Sequence, residues 1–186
     1  ELVDNATIRW DNGARQLMER DLHKVMASFH YGTWEFLPMV FARRGEPVGV
    51  ATAAQRDAAL ARALDEVRRG AGVCQVRTAR ELVGRAGRRG LTGFVLDNTS
   101  RGSACQTRAG GLGLRLPEVG FELARRLRTE VVPLFCSVGR RGLEVRVYPP
   151  GGPDAAARAL LAEVRARPEE WVFWAKDGAL RAAEAA

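Results

Sequence analysis

Short apolar runs of strand length alternate with helix-patterned segments along almost the whole chain of 186 residues. Residues 7–10, 25–29, 48–52, 73–77, 93–96, 131–136 and 143–148 read as strands. Residues 14–19, 33–43, 53–69, 79–86, 117–128 and 154–166 read as helices, and Pro168 opens a last one carrying Trp171 and Trp174. Strands that alternate with helices predict an α/β fold with a mixed, mainly parallel sheet flanked by helices. No internal repeat interrupts the pattern. One Gly-rich, polar stretch, residues 99–116, reads as a long loop, and long loops in compact domains are usually functional or mobile.

Local signals set the element ends. Thr33 is placed to cap the helix over 33–43 and Gly45 to stop it. Pro38 inside that helix is expected to kink it. Pro117 and Glu118 suit a helix start, and Asp154 is placed to cap the helix after the 149–153 linker. Residues 139–142 can turn tightly enough to join the last two strands as a hairpin.

The length suits one domain over residues 1–186, and 46% hydrophobic with 27% charged residues reads as globular and soluble. No apolar run reaches the roughly 18 residues of a membrane span. The net charge is +7, and Lys24 and Lys176 are the only lysines. Arginine usage alone accounts for this balance as readily as attraction to an anionic membrane surface, an acidic carrier protein or phosphates. Nucleic acid is the weakest partner: there is no basic tail, no aromatic RNA-binding strand and no zinc-finger spacing. Cys74, Cys105 and Cys136 are odd in number and far apart, so neither a disulfide framework nor a metal site is indicated. Reduced thiols in a cytoplasmic chain fit best.

Candidate chemistry gathers at His30-Tyr31-Gly32-Thr33-Trp34-Glu35. Only two histidines exist, so a general base at neutral pH has few candidates. His30 falls just past a strand and just before a helix, where ligands bind in α/β folds. Glu35 is positioned to orient its ring, as the acid of a triad does. Gly32 allows close backbone approach to a ligand, and amides at the helix start offer donors for an oxyanion. This suits acyl transfer without a covalent enzyme intermediate. The bland reading is a buried histidine bonded to a carbonyl and an acid placed early in a helix. Ser28 is a rival nucleophile without the usual elbow motif. His23 reads as a surface or helix-end residue.

The block from His30 to Glu35, followed by Phe41-Ala42-Arg43-Arg44-Gly45-Glu46-Pro47-Val48, resembles the H-x-G-x-W-E block of the lipid A biosynthesis acyltransferases. These lauroyl and myristoyl transferases belong to the lysophospholipid acyltransferase superfamily. The strand ending at Asp97, the segment Phe121 to Phe135 and Pro168-Glu169-Glu170-Trp171 resemble further family blocks in the same order.

The resemblance implies a glycerolipid acyltransferase-like fold and a base–acid dyad at His30 and Glu35. It implies Gly32, Trp34 and Asp97 near the substrate, no resident cofactor, and an acyl-carrier-protein or CoA thioester as co-substrate. The acceptor would be lipid-like, at the cytoplasmic face of the inner membrane. A membrane-anchor helix is expected ahead of the catalytic domain, and residues 1–186 do not include it. Ala53-Ala54 stand where relatives often carry Arg-Pro, with Arg56 as a substitute, and Asp97-Asn98-Thr99 replaces D-x-D. Arg101 or Arg108 could bind phosphate. An active glycolipid acyltransferase, a tailoring acyltransferase of a secondary metabolite and a non-catalytic binding or scaffold relative all remain open.

Overall fold

A computed structural model describes residues 2–52, 55, 57–97, 103–110, 112–172 and 180–182. Seven strands form the main sheet: β1 (Thr7–Trp10), β2 (His23–Ser28), β3 (Val48–Ala51), β4 (Cys74–Val76), β5 (Gly90–Val95), β8 (Val131–Gly139) and β9 (Gly142–Val147). Their order is β1-β9-β8-β2-β5-β3-β4. The five strands from β8 to β4 are mutually parallel, β9 runs antiparallel to β8, and β1 is parallel to β9. The fold is therefore the expected mainly parallel, mixed α/β sheet flanked by helices.

Side-chain alternation along the central strands splits the core in two. Val25, Ala27 and Phe29 of β2 and its extension join Val131 and Phe135 of β8 on one face. There they pack with Leu123 of α5 (Val119–Arg126), Leu160 of α6 (Pro153–Ala166) and Leu82 of α4 (Ala79–Ala86). Met26, Val132 and Leu134 point to the other face, against Leu17 of α1 (Asn12–Glu19) and Val40 of α2 (Leu37–Ala42). α3 (Ala58–Gly70) lies on this second side, joining β3 to β4.

Caps fix several helix starts. The Asp11 carboxylate accepts the Gly13 and Ala14 N–H groups at α1, and Asp57 accepts those of Ala59 and Leu60 at α3. Thr78 and Glu81 form a reciprocal capping box at α4.

Six expectations need correction. Residues 33–43 are a 3-10 turn (Trp34–Phe36) leading into the short α2. Pro38 sits in the first turn of α2, where a missing N–H costs nothing, so it starts the helix and does not kink it. Thr33 makes no capping bond, and its hydroxyl donates to Cys136 Sγ at 3.3 Å. Residues 99–116 are not one loop: β6 (Ala104–Ala109) and β7 (Leu112–Pro117) form an antiparallel hairpin turning at Gly110, whose φ is 53°. The alternation of Leu112, Leu114 and Leu116 with Gly113 and Arg115 is the strand signal beneath the glycines. β7 also pairs with β10 (Leu180–Ala182). Gly152, not Asp154, occupies the N-cap of α6, while the Asp154 carboxylate accepts the Thr107 hydroxyl of β6 and ties the hairpin to the helix. Pro168 opens a 3-10 turn (Pro168–Glu170) with Trp171 just past its end, and Trp174 lies outside the described residues.

Among the described residues no helix is long and apolar enough to cross a membrane.

Candidate active site

β2 and β5 are neighbours at the centre of the sheet, paired in register from His23↔Gly90 to Ser28↔Val95. After β2 the chain packs α2 on one face, and after β5 it packs the β6–β7 hairpin and then α5 on the other. Connections that diverge from adjacent parallel strands open a crevice beyond the strand ends, the usual ligand position in open α/β sheets. Two residues past each strand end the register brings His30 opposite Asp97. Sequence spacing cannot show this pairing, because 67 residues separate the two.

The contact is close and two-pronged. His30 Nδ1 lies 2.6 Å from Asp97 Oδ1, and the His30 backbone N–H donates to Asp97 Oδ2 at 2.8 Å. Trp171 Nε1–H donates to the same Oδ2 at 2.9 Å. A carboxylate can only accept here, so the neutral ring carries its proton on Nδ1 and its lone pair on Nε2. The Asp97 side chain is 3% exposed and the His30 side chain 22%. A buried carboxylate needs this many donors, and the histidine keeps a face towards solvent. Trp34 packs edge-on against the imidazole, with ring centroids 5.1 Å apart and planes at 69°.

Glu35 plays a different part from the one its spacing suggests. Its carboxylate accepts Arg68 of α3 through both oxygens, at 2.7 and 2.8 Å from Nη2 and 3.3 Å from Nε. Arg68 is buried, so Glu35 neutralises a cation between α3 and the 3-10 turn, and Asp97 takes the place beside His30. The 3-10 geometry explains the diversion: three residues per turn swing Glu35 to a different side from an α-helix.

Gly32 is held by protein and not kept open for a ligand. Its φ is 56°, and a Cβ there would stand 2.3 Å from the Cys136 carbonyl oxygen. Its N–H donates to Glu170 O at 2.9 Å, and the Thr33 N–H donates to Cys136 O at 2.8 Å. These two amides are thus spent and do not form an oxyanion hole.

Arg56 and Arg101 lie outside the described residues, while Arg108 is exposed on β6. Ser28 is buried, and its hydroxyl donates to the Phe29 carbonyl at 3.3 Å. Burial pushes the Cys105 and Cys136 thiols up, so neither is an activated thiolate. His23, expected at the surface, is buried at the start of β2: Nδ1 meets Arg88 O at 2.9 Å and Nε2 meets Thr92 Oγ1 at 2.8 Å. Glu170 is likewise pushed up by burial despite its ion pair with Arg167.

A shallow depression of about 350 Å³, lined by Leu2, Val3, Met39 and Val67 among others, does not include the dyad. Among the described residues no group of three His, Cys, Asp or Glu could hold a metal ion. Compared with known proteins, the chain matches no family model and no curated sequence at a significant level.

Proposed function

We propose that this domain transfers an acyl group from a thioester to a hydroxyl or amine of a lipid-like acceptor, with His30 as general base and Asp97 as the acid that orients it. The observation that carries this reading is the His30–Asp97 hydrogen bond of 2.6 Å beyond the carboxyl ends of β2 and β5. The four sequence blocks resembling the lipid A acyltransferases support it and suggest the donor, an acyl carrier protein or CoA thioester.

In the reaction, His30 Nε2 takes the proton from the acceptor O–H or N–H. The acceptor atom attacks the thioester carbonyl and a tetrahedral oxyanion forms. On collapse the C–S bond breaks, and the imidazolium returns the proton to the leaving thiolate. Asp97 keeps the proton on Nδ1 and stabilises the imidazolium between the two transfers. A charge of +7 suits an acidic carrier protein or an anionic membrane surface beside the site.

The test is thiol release from medium- and long-chain acyl-CoA and acyl-carrier-protein thioesters, offered with hydroxyl and amine acceptors. Acceptor-dependent release should fall by about 10²- to 10⁴-fold in His30→Ala, the span of general-base contributions. Equal release by wild type and variant would overturn the reading. A second reading, a binding domain without turnover, draws on the Glu35–Arg68 pair, which takes up the acid that the related motif places with its histidine. Thioester binding with no release by the wild type would favour it.

A further inference from the structure

The dyad is completed from the far end of the chain. Residues 30–32 and 170–172 run antiparallel, with Tyr31 opposite Trp171. The Gly32 N–H donates to Glu170 O, and the Val172 N–H donates to His30 O, both at 2.9 Å. Behind them the Tyr31 hydroxyl lies within hydrogen-bond distance of two carbonyls at the end of α6, Glu163 O at 3.0 Å and Arg167 O at 3.1 Å. Trp171 is 2% exposed and its indole N–H reaches Asp97 Oδ2.

We propose that Trp171 is a positioning residue for the His30–Asp97 dyad, held in place by a strap over residues 168–172. Asp97 has two oxygens with separate duties. Oδ1 faces His30 Nδ1, while Oδ2 is fixed by the His30 N–H and by Trp171. The two donors on Oδ2 stop the carboxylate from turning about its terminal bond, a torsion with only a broad preference of its own. A carboxylate fixed in this way keeps the Nδ1–H tautomer and leaves Nε2 as the proton acceptor. The same five residues that close over the dyad therefore decide which ring nitrogen does the chemistry. This role in turnover rests on the acyl-transfer reading, while the role in the tautomer does not.

The experiment has two arms. The first is ¹⁵N NMR of the histidine rings in the full chain, above the pH at which free imidazole is charged. The chain has only His23 and His30, and His23→Gln assigns the two sets of signals. Wild-type His30 should show a protonated Nδ1 and a lone-pair Nε2. Trp171→Phe, which keeps an aromatic ring and removes the N–H, should shift His30 towards a mixture of tautomers. The second arm is thiol release: kcat should fall roughly tenfold or more, the scale of a hydrogen bond to a charged group, with KM for the thioester little changed.

Leu143→Ala, in the core on the other face of the sheet, is the control for stability alone and should leave the tautomer intact. If Trp171→Phe does not fold, Val172→Pro takes its place. That change removes the N–H bonded to His30 O at an exposed side chain, and Trp171 already has the φ of −88° and ψ of 114° that a residue before proline adopts. Its effect should have the same direction and be smaller. A folded Trp171→Phe or Val172→Pro protein with the wild-type tautomer and kcat overturns the proposal. If the wild type releases no thiol, the acyl-transfer reading fails, and the tautomer arm still decides the positioning role.

Discussion

β2 begins with His23 and, two residues past its end, leads to His30, so one strand carries a histidine at each end. At the start of the strand the ring is 4% exposed and held between the Arg88 carbonyl and the Thr92 hydroxyl. Both of its nitrogens are satisfied by neutral groups, and burial lowers its proton affinity. Beyond the end of the strand the other ring meets a carboxylate, and the carboxylate in turn is held by a backbone N–H and an indole. The difference lies in the partner's charge. A carbonyl and a hydroxyl fix a neutral ring in the core, whereas an anion prepares a ring to take up a proton and return it. Parallel strands place these environments at opposite edges of the sheet, with ligand chemistry at the carboxyl edge.

The sharpest way to break this contrast is to exchange the roles of the carboxylates at the upper end. Asp97→Asn keeps the shape but presents an amide that can favour the wrong tautomer, and activity should fall by up to about 10⁴-fold, as for the orienting acid of a serine-protease triad. Glu35→Gln should leave kcat within a few-fold of wild type. Its cost appears in stability, because Arg68 loses its counter-charge while buried. A loss of about 1–3 kcal/mol, read from denaturant melts, is the scale for a weakened buried polar contact. The reverse result, a dead Glu35→Gln with an active Asp97→Asn, would restore the pairing suggested by the sequence spacing.

The next comparison sets the two histidines against each other. His30→Ala should lower acceptor-dependent thiol release by about 10²- to 10⁴-fold and lower stability less than His23→Ala does. His23→Ala removes one buried and one partly buried hydrogen bond and leaves the Thr92 hydroxyl without its histidine partner, so a loss of about 2–4 kcal/mol is expected from the bonds and the space left behind. Its folded fraction should keep its turnover. Equal losses of stability in the two variants would show that His30 is as structural as His23.

These contrasts mark what the residues alone could tell. Strand–helix alternation placed the mainly parallel sheet, because buried strands leave continuous apolar runs that need no long-range information. It also brought His30 to a strand end. The partner of His30 was hidden, since strand order and register decide it and neither is encoded in local spacing. Asp97 stood out in the sequence only as an acid after a strand. The burial of His23 is hidden for a related reason: a histidine beside Lys24 looks like surface until β5 supplies Thr92 and the Arg88 carbonyl arrives from the preceding turn. Spacing pairs Glu35 with His30, but the residues after Thr33 wind as a 3-10 turn, which a helical period does not reveal. The hairpin of β6 and β7 is legible in the alternation from Leu112 to Leu116, although four glycines between residues 99 and 116 favour a loop.

The smallest expected effect concerns protons at the lower end of β2. Burial lowers the pKa of His23, and the positive charges of Arg85 and Lys24 push in the same direction against the bond to the Arg88 carbonyl. The unfolded chain binds a proton at about pH 6.5, the ordinary histidine value. The folded chain binds it only at lower pH. Between the two values the unfolded state holds more protons, so stability rises with pH there. The contribution is complete above about pH 6.5, declines as pH falls through the window below it, and is gone once the folded protein is itself protonated. One proton limits the slope to about 1.4 kcal/mol per pH unit. Urea melts of the wild type from pH 8 down to about 5 should show this decline, and His23→Gln, which cannot titrate, should flatten it. An identical acid limb in the variant would move the titration elsewhere and remove the contrast between a histidine held by neutral groups at one end of β2 and one held by a carboxylate at the other.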